Sequence, residues 1–281
     1  MGAAVGPHAS GRGLRYLRPR ALVHDMTEEQ KWPNVLWIVR HGESAGNVAR
    51  DKAEAAGLPL IDIRTRDVDV PLSRLGEKQA AALGHWFGKL SPDERPTIVL
   101  ASTYLRARET ARLALDESGI QRDDISFVAD ERLREKEFGI FDRLTRVGVK
   151  EKYPEQAEAR SVLGKFYFRP PGGESWCDVI LRLRSVIDTI TRDYRRERVL
   201  IVTHQVVVNC FRYLLERMSE EQILTLDSKQ EIANCSVTSY QFSRSAGRRG
   251  KLVLQLYNFV APLEEAGAPI TTRADVPVAL K

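Results

Sequence analysis

Three apolar runs, VLWIV (35–39), TIVLA (97–101) and VLIVT (199–203), restrict the fold more than any other feature of the chain. None shows the polar alternation of a half-wet strand, so each must bury both of its faces. A strand buried on both sides needs a packed layer against each face, and the segments between the runs supply those layers. SRLGEKQAAALGHWFGKL (73–90) begins at a helix-capping residue, Ser73, and sets Leu83, Trp86, Phe87 and Leu90 on one face. SWCDVILRLRSVIDTI (175–190) opens with Ser175 and Asp178 in capping-box spacing and carries Val179, Leu183, Val186, Ile187 and Ile190 as its stripe. VVVNCFRYLLERM (206–218) repeats the pattern through Val207, Cys210, Phe211, Leu214 and Leu215. Two further strands, 237–242 and 251–260, are joined by a turn containing glycine. Strands alternating with helices predict an α/β fold, a three-layer α/β/α sandwich around a mostly parallel central sheet.

This pattern occupies residues 32–260 and reads as one domain without internal repeats. Residues 1–31 read as a disordered or presequence-like extension, since the first acid is Asp25 and arginines are frequent; Met26 is an alternative start. Residues 261–281, rich in Pro and Ala, read as a flexible tail. Cys177, Cys210 and Cys235 have no CxxC spacing and are expected as reduced thiols in a cytoplasmic setting. No apolar stretch approaches the roughly 20 residues of a membrane-spanning helix, so no membrane partner is expected. The net charge is +5, but the denser basic clusters, 192–198 and 244–250, read as a helix end and a turn rather than a nucleic-acid surface.

Ligands of such sheets collect outside the carboxyl ends of the strands. The first run ends in RHG, the second continues into STYLRARET, and the third ends in TH, so Arg40, His41, Arg106 and His204 are expected on one edge. Two histidines suggest zinc. Arg40 opposes a divalent cation there, no third ligand stands at metal spacing, and no metal or other cofactor is expected. The same arginine suits an anion. A histidine nucleophile, arginines that clamp phosphate oxygens and an acid for the leaving oxygen make a phosphoryl-transfer site, with Glu135 or Glu137 as the acid.

VRHGESAGN (39–47), ASTYLRARETA (101–111), LREKEFG (133–139), PGGES (171–175) and VTH (202–204) occur in the order and approximate spacing of the histidine phosphatase superfamily. The chain resembles this family, with its phosphoglycerate mutase-like fold, over nearly all of residues 35–242. The resemblance implies a metal-independent phosphatase of a small phosphorylated metabolite. His41 is the implied phosphorylated nucleophile and Glu135 the proton donor. Arg40, Arg106, His204 and Asn47 are the implied phosphate pocket. Within the family the chain is similar to fructose-2,6-bisphosphatase-type and broad-specificity members, which implies that Tyr153, Arg169 and Gln205 face the substrate. Two positions differ: the bisphosphatases carry a basic residue where this chain has Asn209, and often another where it has Gly172. A cofactor-dependent phosphoglycerate mutase is the rival within the fold, with Arg146 near where its second basic group serves. An open pocket that admits water favours hydrolysis over that rival. A non-catalytic phosphate-binding scaffold is the reading from another class, and the full set of site residues argues against it. Residues 51–70 read as a lid over the pocket or a surface excursion. The fold is compatible with a homodimer.

Overall fold

The computed structural model describes residues 1–2 and 30–272. Six strands, β1 (Val35–Arg40), β2 (Ile98–Ser102), β3 (Ser126–Asp130), β4 (Arg198–Thr203), β5 (Val237–Ser243) and β6 (Lys251–Phe259), form one sheet. Their order is β3-β2-β4-β1-β5-β6. The first four run parallel, and β5 and β6 close the far side antiparallel.

Alternate residues of each central strand enter different cores, which is why the runs are apolar throughout. Leu36, Ile38, Leu100, Val199 and Ile201 pack with Val179, Leu183 and Val186 of α6 (Trp176–Asp193) and with Val207 and Phe211 of α7 (Gln205–Glu216). Trp37, Val39, Val99, Leu200 and Val202 pack against Leu83 and Phe87 of α2 (Arg74–Gly88) and Ala107, Ala111 and Ala114 of α3 (Leu105–Ser118). These are the three expected layers. The expected caps form as well: Ser73 accepts from the Gly76 amide, and Ser175 and Asp178 make a reciprocal capping box.

The strand β3 was not expected from the sequence. It pairs only with β2 at the sheet edge, and Phe127 and Val128 stay exposed, so it lacks the two-faced burial that marks the others. The remaining helices are α1 (Ala45–Ala55), α4 (Arg146–Lys152), α5 (Pro154–Tyr167), α8 (Glu220–Lys229) and α9 (Ala261–Glu265).

Part of the stretch expected as a flexible tail at 261–281 forms α9 (Ala261–Glu265). Leu263 of α9 is fully buried beside Ala80 and Ala82 of α2, and the chain stays attached through Thr271. Residues beyond 272, and nearly all of the extension expected at 1–31, lie outside the described residues. The basic clusters fall where expected, at the end of α6 and in the β5–β6 turn. Among the described residues no helix is long and apolar enough to cross a membrane. Cys210 and Cys235 are buried thiols whose pKa burial pushes up, which leaves them unreactive.

Candidate active site

Strands β1 and β4 pair with Arg40 opposite Thr203, so the residues that follow them leave the sheet side by side. The rings of His41 and His204 lie with centroids 5.0 Å apart, both wholly buried. The His41 amide donates to the Thr203 carbonyl at 2.8 Å, tying the two strand ends together. His41 Nδ1 lies 2.6 Å from the Gly42 carbonyl oxygen. A carbonyl can only accept, so Nδ1 carries the proton and the lone pair is on Nε2. Arg106 Nε donates to that Nε2 at 3.3 Å.

Arg106 stands in the first turn of α3, almost fully buried, with its guanidinium 5.0 Å over the Tyr104 ring. Its Nη1 and Nη2 hold the Asp67 carboxylate at 3.0 and 3.2 Å, and Nη1 also donates to the Asp67 carbonyl at 2.7 Å. Asp67 sits in a single turn of 3-10 helix, so residues 51–70 are neither a uniform lid nor a plain excursion. Their first part belongs to α1, and their last part delivers a carboxylate to the site. His204 Nε2 is 2.8 Å from the Ser102 hydroxyl, and its ring meets Tyr104 edge-on at 5.2 Å. Arg40 is fully buried at the end of β1 and donates to the Ile232 carbonyl.

Asn47 lies in the first turn of α1, where its Oδ1 accepts from the Ser44 amide at 2.9 Å. That cap uses the oxygen of the amide and turns Nδ2 the other way. Gly42 and Gly76 hold the loop against α2: a Cβ on Gly76 would lie 1.9 Å from the Glu43 carbonyl oxygen. Only a glycine lets the two backbones approach so closely.

Glu135 is buried, and its Oε1 accepts from the Lys136 amide at 2.7 Å. The loop that carries it is clamped from α6. Arg182 Nη2 donates to the Glu135 carbonyl at 3.2 Å, while Glu174 accepts from Arg134 at 2.8 Å and from Arg182 at 3.0 Å. Burial opposes ionisation of Glu174, but its bonds to Arg182 and the charge of Arg134 hold its carboxyl below the usual range. Glu137, the other candidate acid, is half-exposed and accepts from the Tyr104 hydroxyl at 2.9 Å. Burial, with the charges of Glu137 and Asp67, pushes that hydroxyl far up, so Tyr104 is a donor only.

Behind the loop runs a second support. Asn234 Nδ2 donates to the His41 carbonyl at 3.1 Å, and its Oδ1 accepts from Thr271 Oγ1 at 3.0 Å. Gln79 accepts from the Glu43 amide at 2.9 Å and donates to Pro269 and Thr271 at 2.9 and 3.0 Å. Residues 269–271 thus brace the loop at residues 41–43 through the two fully buried amides of Gln79 and Asn234. Thr271→Val keeps the shape but strands two buried polar groups. It is expected to cost about 2 kcal/mol in a denaturant titration, and a loss below the error of that titration would show that the brace contributes nothing.

Arg40, His41, Asn47, Arg106, Glu135 and His204 come from five separate segments and are all buried at one sheet edge. Gln205 opens α7 directly after His204. Tyr153 and Arg169 stand on other segments, Tyr153 between α4 and α5 and Arg169 ahead of α6. The Tyr153 ring packs 6.0 Å from Phe141, and Arg169 is exposed and ion-paired with Asp178 at the start of α6. Neither makes a hydrogen bond or ring contact with the histidine pair. Asp67, Gln79, Asn234 and Thr271 were not singled out from the sequence. Only the caps and glycines near them gave a signal, and that signal was structural.

The model of the histidine phosphatase superfamily, branch 1, matches residues 36–253. The chain is 32% identical over 207 residues to a fructose-2,6-bisphosphatase of Saccharomyces cerevisiae, covering 73% of this chain and 39% of that protein. It is 31% identical over 191 residues to a 6-phosphofructo-2-kinase/fructose-2,6-bisphosphatase of Caenorhabditis elegans, covering 67% of this chain and 36% of that protein. The chain thus spans less than half the length of these curated relatives. Among solved structures, Bacillus stearothermophilus YhfR superposes with a TM-score of 0.63 at 25% identity, over 82% of this chain and 98% of that one. A mycobacterial glucosyl-3-phosphoglycerate phosphatase shares the fold with a TM-score of 0.59 at 22% identity, over 81% of this chain and 100% of that one.

Proposed function

The chain belongs to the histidine phosphatase superfamily, branch 1, and from that premise we propose that it hydrolyses a phosphomonoester of a small molecule through a phosphohistidine at His41. The observation that carries this reading is the His41 ring itself. Its Nδ1 proton is held by the Gly42 carbonyl, its Nε2 lone pair faces the Arg106 guanidinium, and His204 stands 5.0 Å away. A neutral imidazole fixed in that tautomer is ready to attack, and cations around it suit an anionic electrophile.

In the first step His41 Nε2 attacks phosphorus and the N–P bond forms as the P–O bond to the alcohol breaks. Protonated Glu135 gives its proton to the departing oxygen. In the second step water attacks phosphorus, the N–P bond breaks, and the Glu135 carboxylate takes the proton of the water. Arg40, Arg106, His204 and Asn47 hold the phosphate oxygens, and Gln205, at the start of α7, lines the same edge. Tyr153 and Arg169 are proposed to face the part of the substrate that lies beyond the phosphate. A phosphate dianion competes with Asp67 for Arg106, so binding is coupled to displacement of that carboxylate. No step calls for a metal.

Rapid mixing with radiolabelled p-nitrophenyl phosphate, followed by quenching, tests the proposal. A phosphoenzyme stable in alkali and lost in acid is expected, along with release of inorganic phosphate. Label that survives acid, as a serine or threonine ester does, would overturn the mechanism. Transfer to a second substrate hydroxyl without free phosphate would make the protein a mutase.

A further inference from the structure

Arg40 is wholly buried at the end of β1, and its Nη1 donates to the Ile232 carbonyl oxygen. That anchor belongs to residues 231–235, in the link between α8 and β5. The same residues touch the site twice more. The Cys235 amide donates to the Arg40 carbonyl at 3.0 Å, and Asn234 Nδ2 donates to the His41 carbonyl. Thr271 holds the far end of the link through Asn234. Asn258, in β6, holds the end that carries Ile232. Its Oδ1 accepts from the Ala233 amide at 2.8 Å, and its Nδ2 donates to the Glu231 carbonyl at 3.1 Å. Only a side chain with both a donor and an acceptor can serve those two groups at once.

The Ile232 carbonyl and the Ala233 amide belong to one peptide group. A trans peptide is planar, and its C=O and N–H point in opposite directions. Arg40 therefore donates to one end of a rigid unit while Asn258 accepts from the other. Neither end can turn without the other, and each bond polarises the peptide in the sense that strengthens its partner.

The strand itself explains how Asn258 reaches that link. Ser239 pairs with Leu256 and Val237 with Phe259, so Tyr257 and Asn258 together face the single residue Thr238. This is a β-bulge, which re-aims side chains beside functional sites. Asn258 takes the left-handed region at φ +48°, which asparagine tolerates better than most residues. The Thr238 hydroxyl accepts from its backbone amide at 3.4 Å. Asn258 is half-buried and makes no hydrogen bond to either histidine of the pair. The family match ends at residue 253, ahead of it.

We infer that Asn258 is a positioning residue for the phosphate clamp, acting on Arg40 through the 232–233 peptide group. The inference rests on the phosphomonoesterase reading above and extends it to a residue outside the pocket. With its Nη1 anchored, the guanidinium is aimed before phosphate arrives, so binding has less ordering to supply. Arg40 holds the phosphate before and during transfer, so the effect falls on affinity more than on kcat.

Asn258→Gly tests this, because glycine suits the left-handed backbone and keeps the bulge while both side-chain bonds are lost. The calorimetric Kd of inorganic phosphate and the KM for p-nitrophenyl phosphate are expected to rise about five- to tenfold, part of one charge-assisted hydrogen bond. The kcat should stay within about threefold. Neither Kd nor KM depends on the folded fraction, so a merely structural role leaves both unchanged and lowers only the thermal midpoint. In an Arg40→Lys background, where no second arm is shared between Ile232 and phosphate, Asn258→Gly should weaken phosphate by less than about twofold further. A full additional loss there would show that Asn258 acts by a route other than Arg40. Should the glycine variant not fold, Asn258→Asp keeps the acceptor for Ala233, loses the donor to Glu231, and should raise both constants about threefold. If wild type hydrolyses p-nitrophenyl phosphate and the folded variant binds phosphate as wild type does, the positioning role is wrong and the phosphatase reading stands. Absence of both turnover and phosphoenzyme in wild type removes the underlying reading and this inference with it.

Discussion

His41→Ala is expected to lower kcat by at least about 10⁴-fold, the scale seen when a covalent nucleophile is removed, and to abolish the phosphoenzyme. Among the described residues of the site no other group stands ready to replace it. The Ser102 hydroxyl is bonded to His204, and the Cys210 and Cys235 thiols are buried with raised pKa values. Water placed in the cavity left by the imidazole would meet the phosphate clamp, but without the two-step path that the histidine provides. The ring contributes no strand pairing, and the backbone bonds of residue 41 to Thr203 and Asn234 are kept. The variant should therefore fold, with a near-native thermal midpoint. A folded variant retaining more than a few percent of wild-type turnover would mean that the nucleophile lies elsewhere.

Glu135→Gln should separate proton donation from phosphate chemistry. Glutamine keeps the oxygen that accepts from the Lys136 amide, so the loop should hold its shape. With an alkyl phosphate, whose leaving alkoxide needs a proton, kcat is expected to fall about 10²- to 10⁴-fold, the range of general acid catalysis. With p-nitrophenyl phosphate the leaving phenolate departs unprotonated, and burst experiments should show the first step hardly slowed. Equal losses with both substrates would assign Glu135 to binding or positioning, and would point to half-exposed Glu137 as the acid.

The sequence made the central sheet legible because β1, β2 and β4 each face two cores, which keeps polar residues to the strand ends. It concealed β3, whose side chains are largely exposed, because an edge strand pays no penalty for looking like a loop. The histidines and arginines were readable because sheet geometry sends the carboxyl ends of the parallel strands to one edge. Asp67 was not, since its position depends on how a loop folds back over α3. The burial of Lys136 was hidden for another reason: it sits inside a motif whose neighbouring glutamate carries the recognisable signal. The contacts of the tail were not legible in its composition. Pro and Ala frequency said nothing of Leu263 filling a gap against α2 or of Thr271 bonding to Asn234.

The brace at residues 269–271 also sets an order of events during synthesis. A growing chain releases Arg40, His41, Arg106, Glu135 and His204 from the ribosome before the stretch that steadies their loop has been made. The family match itself stops at residue 253, short of that stretch. Nascent chains of this protein therefore carry His41 and its buried neighbours before Thr271, which bonds Gln79 and Asn234, has been added.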